Sequence, residues 1–287
     1  MFRLGRPFVI VAGLMAFFTG AALAFWETSG FDPLKGGAAL VIMVCAILMA
    51  HYANEYADYE TDALTRRTMF SGGSGVLPSG VVPRSWALYA AIAFLIVTIL
   101  LSAIAFFSGV ITQDVVILVL MGLPLGWFYS MPPLALERTS AGELDNAFLG
   151  GFLMPLMGYV PQTGYVTSLS LMVCFPLFLA VLVNLLTVHW SDRRADEVVG
   201  KRTLVVRLGS RTFLLFEVLT VAMLSAILLL LFVLPLMVVL VTSISGIIAA
   251  WAILGFRRNG GPHYGSVLMG SVMILMGLGF LLEGILH

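Results

Sequence analysis

Five oxygen-bearing side chains fall at spacings that suit a hard cation. Asn54, Asp58 and Asp62 lie four residues apart, directly behind a long apolar run that ends near Ala50. Read as helix, they share one stripe. Asp192 and Asp196 repeat the pattern behind a second apolar run. Like charges on successive turns repel, so each pair calls for something positive between its carboxylates. Mg²⁺ takes oxygen ligands and is usually held by one or two carboxylates together with substrate phosphates. Four carboxylates without a thiolate or a histidine cluster favour Mg²⁺ over zinc. Arg66, Arg67, Arg138, Arg193, Arg194, Lys201 and Arg202 surround these stretches in sequence. Acid and base together suit a ligand that is anionic and also binds metal, which points to a diphosphate. Either motif alone could be a solvated turn at a membrane surface. Two of them, each at a helix end, argue for a site.

The elements that position these residues are membrane helices. The chain has 287 residues, 60% of them hydrophobic and only 10% charged, where a soluble domain carries about 25% charged residues. Mean hydropathy is +1.05. This predicts an all-α polytopic bundle, read as a single integral membrane domain over residues 1–287. A span needs about 20 apolar residues. Nine segments qualify, at roughly 7–26, 34–53, 86–107, 111–130, 144–162, 167–190, 213–233, 235–254 and 264–286. Pro235 alone separates the seventh from the eighth. Gly150, Gly151, Pro155, Gly158 and Pro161 mark the fifth as a place for close helix contact and a kink. Arg3 and Arg6 ahead of the first segment, and Ala22-Leu23-Ala24 inside it, resemble a leader. Every later segment is as apolar, so a first membrane helix is the simpler reading.

With the N-terminus on the cytoplasmic side of the cell membrane, every Lys and Arg except Lys35 falls inside. Both acidic stripes then face the cytoplasm, at the inner ends of segments two and six. Ser71-Gly72-Gly73-Ser74-Gly75 between segments two and three suits either a backbone cradle for phosphate or a plain flexible loop. His51 and His189 read as interfacial or helix-contact residues rather than metal ligands. Tyr52, Tyr56, Tyr129, Trp127 and Trp190 read as interfacial aromatics. Cys45 and Cys174 lie in apolar runs and read as small core residues. A formal net charge of zero gives no sign of a nucleic-acid partner.

The pattern resembles the UbiA superfamily of intramembrane aromatic prenyltransferases. Its first motif, Asn-Asp-x-x-Asp-x-x-x-Asp, corresponds to Asn54, Glu55, Asp58 and Asp62, with glutamate at the second position; its second, Asp-x-x-x-Asp, corresponds to Asp192 and Asp196. Three stretches are similar to the 1,4-dihydroxy-2-naphthoate polyprenyltransferase branch, which makes menaquinone. They are Gly72-Gly73-Ser74-Gly75-Val76-Leu77, Tyr129-Ser130-Met131-Pro132-Pro133-Leu134 followed by Arg138 and Gly142-Glu143, and Asp196 followed by Gly200-Lys201-Arg202-Thr203-Leu204 and Arg207-Leu208-Gly209. The Asp-Arg-x-Asp-Asp core of the 4-hydroxybenzoate branch is absent.

The resemblance implies that two Mg²⁺ ions, held by Asp58 and Asp62 and by Asp192 and Asp196, bind the diphosphate of an isoprenyl donor. It implies that Arg66, Arg67, Lys201, Arg202 and Arg138 help to neutralise that group. The allylic C–O bond then breaks with carbocation character, and an electron-rich aromatic ring attacks the carbon. Asn54, Tyr129 and Glu143 are candidates for acceptor contact. Other acceptors of the superfamily, namely 4-hydroxybenzoate, homogentisate, a tetrapyrrole or a glyceryl ether, remain open. So does a cation-coupled transporter, although transporters place such carboxylates near the bilayer midplane on broken helices.

Overall fold

The computed structural model describes residues 7–64 and 73–286. Arg66 and Arg67, and the Ser71-Gly72 half of the glycine-rich stretch, lie outside the described residues. The described residues form helices and their connecting loops, with no strand among them.

Helix α1 (Pro7–Thr28) is followed by α2 (Pro33–Ala57), which opens on Pro33 and is N-capped by Asp32, whose carboxylate accepts from the Leu34 and Lys35 N–H groups. A short α3 (Tyr59–Leu64) continues beyond it. Then come α4 (Arg84–Phe107), α5 (Gln113–Ser130), α6 (Ala141–Phe148), α7 (Met154–Thr163) and the long α8 (Ser168–Val198). A one-turn α9 (Leu204–Leu208) leads into α10 (Arg211–Leu229), α11 (Leu236–Ser243), α12 (Ser245–Asn259) and α13 (His263–Leu286).

Among the described residues, eight helical runs are long and apolar enough to cross a membrane, with α11 and α12 together forming one of them. The expected fifth segment is not one of them, because it is not one helix. A π turn at Leu149–Leu153 joins α6 to α7. Pro155 carries no N–H for the Gly151 carbonyl four residues back, and the adjacent glycines let the ladder widen. Counted as one helical run, 141–163 restores the ninth segment. Pro235 separates the seventh from the eighth as expected and precedes α11 directly. A break at Ile244 divides the eighth into α11 and α12.

Helix α1 packs on α7 and α13, α2 on α4 and α5, and α8 on α10 and α13. The α1–α7 crossing is a backbone contact. A Cβ at Gly158 would lie 1.9 Å from the Phe17 carbonyl oxygen, and one at Gly20 would lie 1.8 Å from that of Pro155. Small residues at such a crossing let dispersion and packing hold helices that lipid does not drive together. Gly158→Ala is therefore expected to destabilise the protein by about 1–3 kcal/mol, the scale of overpacking, although alanine favours helix. Gly37→Ala, where a Cβ meets nothing within 4 Å, is expected to leave the melting temperature unchanged or raise it. Thermal unfolding of both variants in one detergent checks this; equal melting temperatures would count against the contact.

Large apolar side chains such as Ile96, Ile104, Val221 and Leu254 stay exposed around the bundle, as a lipid-facing surface requires. Helix α8 has 31 residues, about 46 Å at 1.5 Å per residue, against a hydrocarbon core of about 30 Å. Its charged residues, Asp192, Arg193, Arg194, Asp196 and Glu197, are confined to the last turns, so that is the end suited to lie beyond the apolar layer.

Candidate active site

Helix α2 ends at Asp58, whose backbone N–H still donates to the Asn54 carbonyl at 2.8 Å; the Asp62 N–H then donates to the Asp58 carbonyl, also at 2.8 Å. The four-residue ladder survives the joint with α3, so Asn54, Asp58 and Asp62 remain on one stripe. Asp58 thus sits at the negative end of the α2 dipole, where a carboxylate is disfavoured without a cation.

Lys201 supplies that charge. At the end of α8, Gly200 adopts φ +77°, which favours glycine, and the Lys201 N–H returns to the Asp196 carbonyl at 2.8 Å. The Lys201 side chain reaches across the bundle, with Nζ 2.5 Å from Asp58 Oδ1 and 3.4 Å from Glu137 Oε1. Lys201 and Glu137 are buried, at 6% exposure each, and Asp58 is partly buried, at 13%. Glu137 comes from a 3₁₀ turn, Leu136–Arg138, between α5 and α6. Glu137 Oε2 accepts from Asn54 Nδ2 at 2.7 Å and from Ser130 Oγ at 3.0 Å. Asn54 Nδ2 also lies 2.9 Å from Asp58 Oδ2 and 3.0 Å from Ser130 Oγ.

Burial, followed by the Asp58 carboxylate, raises the Glu137 carboxyl above the ordinary glutamate range, while Lys201 and Ser130 pull it back toward the charged form. Burial works against the Lys201 charge, but Asp58 and Glu137 outweigh it and hold the ammonium above the ordinary lysine range.

The two loops that carry Glu137 and Lys201 are joined one residue further on. The Arg202 N–H donates to the Arg138 carbonyl at 2.7 Å, and Thr139 and Arg202 form an isolated parallel bridge. The Arg138 guanidinium is exposed and donates to the Val199 carbonyl at 2.9 Å. Arg202 is exposed as well. The structure thus draws Lys201 alone among these three cations into the buried cluster. Arg193 lies over the Trp190 ring, 3.7 Å from its centroid, and Arg194 is exposed.

On α8, Asp196 is buried and Asp192 half-buried. Lys201 bonds to Asp196 through its backbone N–H and to Asp58 through Nζ, so these two aspartates lie at the same end of the bundle. His189 makes a helix contact as expected, with Nδ1 3.1 Å from Glu143 Oε1. The same Glu143 oxygen accepts the Leu204 N–H at 2.8 Å. Glu143 therefore ties α6 to α8 and to the start of α9.

Glu55, the glutamate at the second motif position, is 1% exposed and engages the Ser74 N–H (2.8 Å) and hydroxyl (2.5 Å). This N–H is consequently not offered to a phosphate. The described part of the glycine-rich stretch is instead a backbone seat for α2 and α3. Gly73 has φ +63°, and a Cβ there would lie 1.8 Å from Asp62 Oδ2. Glycine at that position lets the loop pass against the Asp62 carboxylate.

A family model described as the UbiA prenyltransferase family matches residues 14–269. The chain belongs to the UbiA prenyltransferase family. It is 24% identical over 211 residues to a 1,4-dihydroxy-2-naphthoate octaprenyltransferase of Bacillus subtilis strain 168, a match covering 74% of this chain. It is 26% identical over 212 residues to UbiA prenyltransferase domain-containing protein 1 of Dictyostelium discoideum, covering 71% of this chain. These matches span 66% and 62% of the two relatives. The fold is similar to that of a UbiA homolog from Archaeoglobus fulgidus bound to DMAPP and Mg²⁺, with a TM-score of 0.74, 17% identity, and 97% of this chain and 98% of that one covered. A UbiA homolog from Aeropyrum pernix K1 matches at a TM-score of 0.69 and 16% identity over 96% and 97% of the two chains.

The donor set of this UbiA-family chain fits a hard divalent cation. Asn54, Asp58, Asp62, Asp192 and Asp196 offer only oxygens, and the Lys201 ammonium already lies against Asp58 where positive charge is needed. Among the described residues, no three His, Cys, Asp or Glu side chains are grouped so as to hold an ion by themselves.

Directly below lies a narrow apolar cleft of about 80 Å³ between α2, α5 and the π turn with α7. Its upper lining includes Ala50 and Gly126, one helical turn before Asn54 and Ser130. Met154 and Met157 line it further down.

Sequence reasoning did not single out Glu137. It follows an irregular Pro-Pro loop and shares no helical stripe with the aspartates. The only local pointer is its neighbour Arg138, which belongs to a stretch quoted for the family resemblance.

Proposed function

We propose that this chain transfers a prenyl group from an isoprenyl diphosphate to an aromatic acceptor within the membrane, in a Mg²⁺-dependent reaction. One observation carries the reading: the buried contact between Asp58 and Lys201 links the inner ends of α2 and α8, so both acidic pairs can serve one diphosphate. Asp58 and Asp62, with Asn54, would hold one ion, and Asp192 and Asp196 would hold the other. Mg²⁺, when bound, supplies positive charge that offsets the charge developing on the leaving diphosphate. Lys201 moves from Asp58 to the diphosphate oxygens. Arg66 and Arg67, which follow α3 in sequence, are read as adding positive charge, and Arg202 and Arg138 stand at the rim.

The allylic C–O bond breaks, and the diphosphate departs with the electron pair. The acceptor ring carbon forms the new C–C bond and gives up a proton, or carbon dioxide when a carboxylate is displaced. The prenyl tail lies in the apolar cleft, which begins one turn below Asn54 and excludes water from the reacting carbon. Positive charge concentrated at this end supports a cytoplasmic placement of the site in the cell membrane. The carboxylates at helix ends, rather than at midplane on broken helices, favour an enzyme over a cation-coupled carrier.

For the acceptor we favour 1,4-dihydroxy-2-naphthoate and hence menaquinone biosynthesis. Support comes from the three sequence stretches and from the name of the Bacillus relative. Membranes containing the protein, incubated with geranylgeranyl diphosphate, Mg²⁺ and a panel of aromatic acids, are expected to yield a prenylated naphthoquinol, identified by mass. A product from 4-hydroxybenzoate or homogentisate alone would replace the acceptor assignment. No product from any acceptor, glyceryl ethers and tetrapyrroles included, would overturn the enzymatic reading.

A further inference from the structure

An amide can offer a metal only its oxygen, so Asn54 is useful to a cation in one of its two orientations. Its NH₂ group faces Asp58 Oδ2 at 2.9 Å, Ser130 Oγ at 3.0 Å and Glu137 Oε2 at 2.7 Å. The Glu137 contact is the shortest of the three, and it is the one that does not come from a proposed metal ligand or a rotatable hydroxyl. Ser130 itself donates to Glu137, so its hydroxyl is set by the same carboxylate. We propose that Glu137 is a positioning residue of the metal site, which fixes the Asn54 amide with its carbonyl oxygen as the group left for the cation. This deepens the function proposed above and rests on it.

The second carboxylate oxygen makes the role specific to glutamate. Glu137 Oε1 faces the Lys201 ammonium at 3.4 Å while Oε2 faces the Asn54 NH₂. Both neighbours are donors, and only the ionised carboxylate, the form that the Lys201 ammonium and the Ser130 hydroxyl favour, offers each of them an oxygen. A glutamine has one oxygen and one NH₂, so it satisfies one neighbour and opposes the other. With its oxygen drawn to the charged lysine, its NH₂ meets that of Asn54, and the asparagine amide turns over. The fold has no need to suffer, because Lys201 retains Asp58 and glutamine keeps the side-chain volume.

The test is Mn²⁺ binding to the purified full chain in detergent, read from the electron paramagnetic resonance of the free ion, with thermal unfolding alongside. E137Q is expected to weaken Mn²⁺ binding at least about tenfold, the range for partners that orient a ligand. N54A is expected to weaken it as well, and E137Q in the N54A background to cost nothing further, because Glu137 acts through Asn54. E137A is the second substitution should E137Q not accumulate, and the same non-additivity is expected. Wild-type affinity in E137Q would overturn the proposal. So would an equal loss in both backgrounds, which would mark Glu137 as a source of charge alone. Absence of Mn²⁺ binding by the wild-type chain would instead sink the metal-dependent function itself.

Discussion

Asp58→Asn is expected to lower kcat/KM for prenyl transfer roughly a thousandfold, on the scale of deleting one preorganised electrostatic group and equal to about 4 kcal/mol of transition-state stabilisation. Asparagine keeps the volume and still offers Lys201 an oxygen, so the 2.5 Å contact to Nζ need not be lost. It removes the negative charge that holds a divalent cation at the negative end of α2. Alanine is the poorer choice, since removing the nearer partner of a buried ammonium destabilises the fold by several kcal/mol. Asp192→Asn, on a half-buried position of α8, is expected to behave like Asp58→Asn. Both variants should reach wild-type levels in the membrane and melt within a few degrees of wild type. Turnover within tenfold of wild type in either would remove that aspartate from the metal site.

Removal of divalent cations is expected to reduce transfer by at least about a hundredfold, because the charge that stabilises the departing diphosphate is then missing. Added Mg²⁺ should restore it in full. The fold should be nearly indifferent to the same treatment. Lys201 lies against Asp58, with Glu137 beside it, so the most crowded part of the acidic group is neutralised without metal. Activity and melting temperature followed together through chelation and re-addition test both halves. Undiminished turnover in excess chelator would refute the metal requirement, and a collapse in melting temperature would mean that the ion also holds the bundle together.

Much of the architecture is legible in composition and period. Apolar runs long enough to span a bilayer stand out against so few charges, and Pro235 marks a helix start because it cannot continue a ladder. The fifth segment shows the limit. Its glycines and prolines are visible in the sequence, but whether they give a bend, a break or a π turn depends on which backbone approaches them. Gly151 faces Phe178, and Gly158 faces the Phe17 carbonyl. The glycine-rich stretch likewise reads as a phosphate cradle or a plain loop until Glu55 is seen to take the Ser74 N–H.

The sequence by itself determined the membrane class, the helical runs and the two acidic stripes. Those properties are local: hydropathy and a four-residue period are written in neighbouring residues, and a helix preserves them. Only the tertiary structure decided which cation meets which carboxylate. Lys201 reaches Asp58 across 143 residues, and Asn54 reaches Glu137 across 83, while Arg138 goes to a backbone carbonyl instead. Such pairings depend on how the loops after α5 and α8 pack against each other, and no periodic pattern records that.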